Sequence, residues 1–274
     1  MSASAAAVDV ARSIASYLHP TVAIITGASS GMGKEFARQI DRLNTVDEIW
    51  LIARNQQALE DTAAPLSTRT VCIPLDLTDP SAIDTMQHKL IDMHPEVLYL
   101  INAAGFGKFG DWRHISNNDA TNMIELNCRA LVSLTRAVLP YMHRGARLLQ
   151  LASCAAFTPL PHMNIYAATK AFVLSYTRAL RWELHGSGIT VTAICPAWVK
   201  TGFEKVARDS GASHDVAHLL FPQKASTVVS RALLANRLHF AVACCGFKAF
   251  GLRIVGKFLP HCITMASWEA LRRL

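Results

Sequence analysis

The chain has 274 residues, of which 51% are hydrophobic and 17% are charged, and its formal net charge is +7. It has no Pro, Ser or Gly-rich linker and no internal repeat, so its length predicts one α/β domain. The hydrophobic fraction is sufficient to cover a parallel sheet on both faces. The longest uncharged apolar run is too short to cross a bilayer.

Three further classes of site are disfavoured by the sequence. The seven cysteines have no Cys-x-x-Cys spacing, which predicts reduced thiols in a cytoplasmic protein. No His, Cys or Asp residues are clustered at metal-ligand spacing, so we expect no metal. Basic residues are interleaved with apolar ones and no recognition motif accompanies them, which predicts no nucleic-acid partner.

Residues 1–19 precede the first predicted strand and are rich in Ala and Ser. They lack the basic start and unbroken apolar core of a secretory signal, although residues 8–18 have the pattern of a short amphipathic helix. We therefore divide the chain into this N-terminal extension, a main domain over 20–245 and a C-terminal helical extension over 246–274.

Strand-like and helix-like segments alternate along the main domain. The helical patterns fill the intervals between strands, and the longest lie near 118–143 and 164–186. Repeated βα units with right-handed crossovers predict a single doubly wound, Rossmann-like parallel sheet with helices on both faces, and its ligand at the carboxyl ends of the strands. The strands are predicted near 21–26, 48–53, 70–75, 97–102, 147–152, 190–195 and 239–244.

The first strand ends in a glycine-rich turn. An apolar run leads to Gly27, and Gly31 and Gly33 follow at the start of a helical pattern. Glycines at these positions permit a sharp turn, close approach of a pyrophosphate to the backbone and tight packing of helix on strand.

A second pattern lies at the fifth predicted strand and the helix after it. Ser153 ends the strand, and Tyr166 and Lys170 lie four residues apart, on one face of the helix. A free tyrosine has a pKa near ~10, and a fixed ammonium nearby lowers it. Alone this spacing is weak, because an ordinary helix surface produces it by chance. Together with the glycine-rich turn it indicates a proton-transfer site beside a nucleotide.

With these motifs, the chain resembles the short-chain dehydrogenase/reductase family over about residues 20 to 243. The resemblance implies a Rossmann-fold catalytic domain over 20–245 and a catalytic set of Asn127, Ser153, Tyr166 and Lys170, in which the asparagine holds a water of the proton relay. It also implies a homo-oligomer, a dimer or a tetramer. The cofactor contacts that it implies, besides Tyr166 and Lys170, are Gly27, Ser29, Ser30, Gly31, Met32, Gly33, Arg54, Asp76, Leu77, Asn102, Ala103, Gly105, Pro196, Val199 and Thr201.

One position departs from the family pattern. After the sixth strand the family usually has Pro-Gly, whereas this chain has Pro196 followed by Ala197. Alanine does not tolerate positive φ as glycine does. The departure concerns the path of the nicotinamide loop and leaves the predicted reaction class unchanged.

The end of the second strand bears on the choice of cofactor. Enzymes that bind NAD generally place a carboxylate there, which accepts from the ribose 2′-hydroxyl. This chain has Ala53 and then Arg54, and a guanidinium can bond two oxygens of a 2′-phosphate at once. The sequence therefore favours NADP(H), and NAD(H) is the alternative, with Arg54 as a solvated surface residue.

These assignments predict an oxidoreductase that interconverts a ketone and a secondary alcohol by hydride transfer. Ser153 would hydrogen-bond the carbonyl oxygen, Tyr166 would deliver the proton, and Lys170 would lower the tyrosine pKa and bind the nicotinamide ribose. Two alternatives are an NAD-dependent alcohol dehydrogenase and a non-catalytic protein that senses NADP. A proton relay argues against the latter, since a binding module does not need one.

The substrate side is expected to be apolar and roomy, which suits a steroid- or lipid-like ketone. His162 is interpreted as an ordinary loop residue. Cys128, Cys154 and Cys195 adjoin the proposed site and are interpreted as small core residues. The predicted lining consists of Cys154, Ala155, Ala156, Phe157, Leu160, Pro161, His162, Met163 and Trp198.

The last quarter of the chain is both basic and apolar. Residues 200–274 contain 11 Lys and Arg against 4 Asp and Glu, which accounts for the whole net charge of +7. In a helix over 247–259, four large apolar side chains share one face, and Arg253 and Lys257 share another. Three interpretations stay open: packing on the body or a subunit partner, a lid over the substrate site, and peripheral contact with an anionic membrane.

Overall fold

In a computed structural model, residues 19–203 and 222–272 are described, so the helix predicted within residues 8–18 lies outside the described residues. The described residues form a central sheet of seven strands and a separate pair of short strands. The strands are β1 (Thr21–Thr26), β2 (Glu48–Ala53), β3 (Arg69–Pro74), β4 (Glu96–Asn102), β5 (Arg147–Leu151), β6 (Thr190–Cys195), β7 (Val199–Lys200), β8 (Gln223–Lys224) and β9 (Val242–Cys244).

The central sheet is parallel throughout, in the order β3-β2-β1-β4-β5-β6-β9, and β7 pairs with β8. The strand order reverses between β1 and β4, which is where a doubly wound sheet opens a crevice for a ligand. The predicted single doubly wound α/β sheet is confirmed. The short β7–β8 pair has no counterpart among the predicted strands.

The helices follow the strands in chain order. They are α1 (Gly31–Leu43), α2 (Gln56–Ala63), α3 (Ser81–Met93), α4 (Asn117–Ile124), α5 (Leu131–Val138), α6 (Asn164–Glu183), α7 (Ala225–Arg237), α8 (Phe247–Phe258) and α9 (His261–Arg272). Within the described part of the chain, none of these helices combines the length and the apolar character needed to span a membrane.

The core consists of two apolar layers, one on each face of the sheet. In β1, Ala23 and Ile25 point to the layer that contains Phe36 of α1, whereas Val22 and Ile24 point to the opposite layer. Successive residues of a strand point to opposite faces, so an uninterrupted apolar strand can fill both layers. Full burial of each large side chain contributes about 1.5–3 kcal/mol to stability.

The long helix predicted over 118–143 is interrupted. A π-helical segment, Glu125–Ala130, joins α4 to α5, and a 3₁₀ turn at Leu139–Tyr141 ends the helix. Wide π turns often occur at functional sites, and Asn127 lies in this one.

The last strand is shorter than predicted. It begins at Val242 rather than at 239, because His239 has a φ of 59° and its amide bonds to the carbonyl of Asn236 at 2.9 Å. That bond closes the end of α7, and the regular pairing of the last strand therefore starts after residues 239–241.

Candidate active site

A cavity of about 770 Å³ opens at the carboxyl ends of the strands. Two predicted site residues do not line it: Asn102 and Asn127 are buried beneath it. The predicted residues that do line it are Gly27, Ser29, Ser30, Gly31, Met32, Gly33, Arg54, Asp76, Leu77, Ala103, Gly105, Ser153, Tyr166, Lys170, Pro196, Val199 and Thr201.

The glycine-rich turn has the shape that a pyrophosphate requires. Gly27 has a φ of +66°, and a Cβ there would lie 2.9 Å from the backbone of Ala104. Ser30, the N-cap of α1, makes no side-chain cap bond, and the first turn of α1 contains no acidic residue. Its first amides and the positive end of the helix dipole therefore favour an anion.

The adenosine end of the cavity contains Arg54 and Asp76. Arg54 is exposed where β2 ends, and within the described part of the chain its guanidinium has no hydrogen-bond or ion-pair partner. Asp76 Oδ1 accepts bonds from the amide and hydroxyl of Thr78 at 2.9 and 2.7 Å, which fixes the loop after β3.

Asn102 is buried and supports the sheet, and it does not line the cavity, so a cofactor contact of this residue stays a prediction. Its Nδ2 donates to Thr135 Oγ1 at 2.9 Å and to Gln150 Oε1 at 3.3 Å, which connects β4 with β5 and α5. A neighbouring bond pattern fixes the loop that starts at β4: Thr26 Oγ1 accepts from the amides of Ala103 and Ala104 at 3.1 and 3.0 Å.

Ser153 and Tyr166 meet at the cavity wall. Ser153 is the N-cap of a 3₁₀ turn, Cys154–Phe157, and its Oγ accepts from the amide of Ala155 at 3.1 Å. Tyr166 lies in the first turn of α6 and is buried. Burial raises the pKa of Tyr166 well above its ordinary value of 10, and a hydrogen bond with Ser153 acts in the opposite direction.

Lys170 lies one turn further along α6, also buried. Its Nζ is 5.8 Å from the centroid of the Tyr166 ring and donates to the carbonyl oxygen of Leu151 at 2.8 Å. Burial lowers the pKa of Lys170 to about 8. We predicted that Lys170 lowers the pKa of Tyr166, whereas in this structure burial raises that pKa and the opposing influence is the hydrogen bond with Ser153.

Asn127 approaches Lys170 through the loop after β4. Its side-chain amide exchanges two bonds with Phe106, accepting from the amide at 3.1 Å and donating to the carbonyl at 2.9 Å. It also donates to Thr169 Oγ1 at 3.1 Å. A Cβ at Gly105 would lie 2.8 Å from Asn127 Oδ1 and 3.4 Å from Lys170 Nζ, so the three groups converge.

The loop after β6 accommodates alanine without strain. Ala197 is absent from the residues with positive φ in the described part of the chain. The loop is held on both sides, because the carbonyl of Pro196 accepts from Cys154 N and that of Trp198 accepts from Gln223 N, each at 2.9 Å. The departure from the family pattern therefore leaves a well-bonded loop.

The far end of the cavity is apolar, as predicted, but its composition differs. Of the predicted loop residues, Cys154, Ala155, Leu160, Met163 and Trp198 line it, whereas Ala156, Phe157, Pro161 and His162 do not. Five apolar residues and two lysines of the lining were not predicted from the sequence. They are Phe106, Phe109, Phe203, Leu252 and Trp268, and Lys108 and Lys248. Phe106 and Phe109 could have been found, because they follow the carboxyl end of β4.

Aromatic rings surround the proposed acid. The ring centroid of Phe203 is 5.5 Å from that of Tyr166, and Phe109 meets Tyr166 edge-on at 6.2 Å. Phe109 also lies 5.9 Å from the ring of Trp198. These rings exclude water from one side of the Tyr166 hydroxyl and leave an apolar surface for a substrate.

Both C-terminal helices complete the cavity wall. Lys248 and Leu252 of α8 and Trp268 of α9 line it. Trp268 Nε1 donates to the carbonyl of Pro161 at 2.9 Å, and Thr158 and Thr264 share a hydroxyl bond of 2.7 Å. The C-terminal extension is thus packed on the body and borders the site, which agrees with the first interpretation, and a lid over the substrate site stays a prediction.

His162 and the three cysteines have surroundings that suit structural roles. His162 Nε2 is 3.6 Å from Glu269 Oε1, outside the cavity lining. Burial raises the pKa of Cys128 and Cys195 above the ordinary thiol value, and that of Cys154 to about 11. Among the described residues, no cluster of three or more His, Cys, Asp or Glu side chains could hold a metal ion.

Comparisons with known proteins agree with this architecture. A short-chain dehydrogenase from Sphingobium yanoikuyae, solved in complex with NADPH, superposes with a TM-score of 0.75 at 28% identity, covering 86% of this chain and 93% of that one. Sulfoacetaldehyde reductase 2 of Chromohalobacter salexigens is 32% identical over 223 residues, 73% of this chain and 86% of that protein. An uncharacterised oxidoreductase of Staphylococcus epidermidis is 32% identical over 182 residues, 66% of this chain and 78% of that protein. A sequence model of the short chain dehydrogenases matches residues 21–211, and the chain therefore belongs to the short-chain dehydrogenase/reductase family of oxidoreductases.

Proposed function

We propose that the protein interconverts a ketone and a secondary alcohol with NADP(H), and that Tyr166 transfers the proton. The observation that supports this most directly is the meeting of Tyr166 and Ser153 on one wall of a cavity whose other end contains the glycine-rich turn. The proton-transfer residues and the cofactor-binding turn thus line one cavity, as a hydride transfer from a bound cofactor requires.

Each proposed catalytic residue has a distinct task. Ser153 donates a hydrogen bond to the substrate oxygen, and Tyr166 gives it a proton during reduction. Burial favours the protonated form of Tyr166, so the free enzyme holds that proton ready. After Tyr166 has given up its proton, Lys170 and Asn127 return a proton to its hydroxyl through the relay beneath the cavity. When bound, the nicotinamide supplies the hydride or takes it up.

The cradle of the glycine-rich turn fits a dinucleotide, and the end of β2 favours a phosphorylated one. Arg54 lines the cavity there and follows Ala53, so the end of β2 itself has no carboxylate to accept from a ribose 2′-hydroxyl. A guanidinium matches a phosphate in charge and geometry. The similar enzyme of Sphingobium yanoikuyae was solved with NADPH, which agrees with this preference.

The walls favour a bulky, apolar substrate such as a steroid or lipid ketone. Around Tyr166 the lining is mostly aromatic or aliphatic, with Phe109, Trp198 and Phe203 in ring contact. Such walls suit a hydrophobic carbonyl compound better than a sugar, whose hydroxyls would lose their hydrogen bonds to water.

The experiment that tests the proton donor is Tyr166→Phe, assayed with NADPH and a panel of bulky ketones. The change removes one hydroxyl and little volume, so we expect kcat to fall by about 10²–10⁴-fold with unchanged NADPH affinity. Tyr176→Phe is the matched control, because Tyr176 lies on the same helix, stacks on Phe172 and does not line the cavity. Substantial activity in Tyr166→Phe would refute the assignment. If the parent and the variant were both inactive, the NADP-sensing alternative would be the better hypothesis.

The cofactor preference is tested by Arg54→Ala, with NADPH and NADH titrated in parallel by fluorescence. A lost charge-assisted bond of about 1.5–3 kcal/mol should weaken NADPH binding by about 10- to 150-fold and leave NADH unchanged. Arg178→Ala, an exposed arginine of α6, controls for net charge. Equal loss for both cofactors, or none, would favour the NAD-dependent alternative.

We also propose that the protein is a homo-oligomer and acts in the cytoplasm. The division into a main domain over 20–245 and an extension over 246–274 stays a proposal as well. In the structure, α8 and α9 line the same cavity as the main domain.

A further inference from the structure

The most apolar side of α8 faces away from the protein. Phe247 is 90% exposed and Phe258 is 70% exposed, and Phe250 and Ile254 are also exposed. At about 100° per residue, Phe247, Ile254 and Phe258 lie on one side of the helix. We call Phe247, Phe250, Ile254 and Phe258 together the apolar face of α8.

The side of α8 that touches the body is made of small residues. Ala249 is fully buried, and a Cβ at Gly256 would collide with the carbonyl oxygen of Phe157. Surface helices normally turn their apolar stripe toward the core and their polar face outward. In α8 this arrangement is reversed, so packing on the body does not explain its phenylalanines.

Positive charges flank the apolar face. Arg253 and Lys257 are exposed on α8 beside this face, whereas Lys248 lines the cavity. Glu269 is the sole acidic residue of the sequence over 246–274, and it pairs with Arg272 at 2.8 Å. A segment with a net excess of cations surrounds exposed aromatic rings.

We propose that α8 binds peripherally to an anionic lipid surface, with its apolar face in the interfacial region and its basic residues at the headgroups. This combination of phenylalanines and flanking lysine or arginine is typical of helices that lie in the membrane plane. A second copy of the chain matches the surface less well, because pairing two such faces would bring like charges together.

The position of α8 gives such binding a consequence for the site. Leu252 lines the cavity from the opposite side of the same helix. A membrane-bound α8 therefore lies between the lipid and the cavity, where an apolar ketone dissolved in the bilayer is close to the site. This consequence rests on the proposed function, whereas lipid binding itself does not.

The test is flotation of the purified full-length protein with phosphatidylcholine vesicles, with and without phosphatidylserine. We expect binding that requires phosphatidylserine and weakens with added salt. The double variant Phe247→Ser and Phe258→Ser should lower vesicle affinity by at least about tenfold. Replacing Arg253 and Lys257 by Gln should lower it by about fivefold for each charge removed.

Trp182→Ser is the matched control. Trp182 is 81% exposed near the carboxyl end of α6. The chain continues from there to the amino end of β6, which is the end of the strand opposite the cavity. Removing this ring should leave vesicle binding unchanged. Tyr166→Phe should also bind like the parent, which separates lipid binding from catalysis.

Two outcomes would overturn the proposal. One is failure of the parent protein to float with either kind of vesicle. The other is a fall in molecular mass by light scattering in the phenylalanine double variant, with no change in flotation, since a second copy would then cover the face. Reduction of a water-soluble ketone by the same variants reports separately on the proposed function.

Discussion

At the scale of single residues, Lys170 determines how the site should respond to pH. Its ammonium is buried on the carbonyl of Leu151, and burial lowers its pKa to about 8 from an ordinary value of 10.5. Burying this charge costs stability at neutral pH, because the folded and the unfolded chain both hold the proton there. Between the folded pKa of about 8 and the ordinary pKa of 10.5, only the unfolded chain keeps the proton. The contribution of Lys170 to the free energy of unfolding therefore becomes more favourable as pH rises through this range.

We expect kcat/KM for ketone reduction to fall as pH rises through about 8, and kcat/KM for alcohol oxidation to rise over the same range. Reduction consumes a proton from the relay that contains Lys170, whereas oxidation returns one to it. Initial rates over a pH series with NADPH and with NADP would measure both limbs. A reductive profile that stays flat on both sides of this value would show that Lys170 does not titrate there.

The sequence predicted the proposed catalytic side chains but not their electrostatics. The spacing of Tyr166 and Lys170 places them on one helix face, which is a local property. Burial is not local: Tyr166 is enclosed by Phe109 and Phe203, which come from two distant loops. The direction of its pKa shift therefore required the tertiary structure.

At the scale of secondary-structure elements, the C-terminal helices form one wall of the cavity. The contacts that hold them join residues far apart in sequence, as between Thr158 and Thr264. The amphipathic pattern of α8 predicted a helix but not which side would pack inward. That side is set by Ala249 and Gly256, whose small size a hydrophobic pattern does not register.

Trp268→Ala should impair bulky substrates selectively. The indole lines the cavity and anchors α9 through its bond to Pro161, so its loss widens the cavity and loosens the wall. We expect KM for bulky ketones to rise by about tenfold or more, from lost apolar contact of roughly 1.5–3 kcal/mol. Steady-state kinetics would measure the rise in KM, and an NADPH titration would measure whether cofactor binding changes.

Trp268→Phe is the companion variant, because it keeps an aromatic ring but removes the hydrogen bond and part of the side-chain volume. It should retain most of the affinity for bulky ketones. An unchanged KM in Trp268→Ala, with intact folding, would mean that the substrate does not reach α9.

At the scale of the whole molecule, a buried polar network crosses the centre of the sheet. Asn102 connects β4 to Gln150 of β5 and to Thr135 of α5. Asn102→Ala should lower the free energy of unfolding by about 1–3 kcal/mol, because buried partners lose their bonds. Urea denaturation would measure this loss.

The prediction for Asn102 includes a binding control. Asn102 does not line the cavity, so NADPH affinity of the folded variant should stay close to that of the parent. A large loss of affinity without loss of stability would support the cofactor contact that we expected there.

The overall topology was predictable because alternating strands and helices leave few ways to fold. Each strand of the central sheet overlaps a predicted segment, and the errors fall at ends and in short elements. The β7–β8 pair contains two residues in each strand, too few for any periodicity to register. The late start of β9 depends on the left-handed conformation of His239, which histidine only occasionally adopts.

The π-helical segment at Glu125–Ala130 has a consequence for insertions and deletions in this chain. A π turn accommodates one residue more than an α turn, and here the wider turn contains Asn127. Removing that extra residue would restore a regular helix and lose the turn that contains Asn127, whereas deleting one residue from α4 would rotate everything after it by about 100°. Leu131, Leu134 and Val138 would then leave the core, so this helix should tolerate substitutions far better than any change in its length.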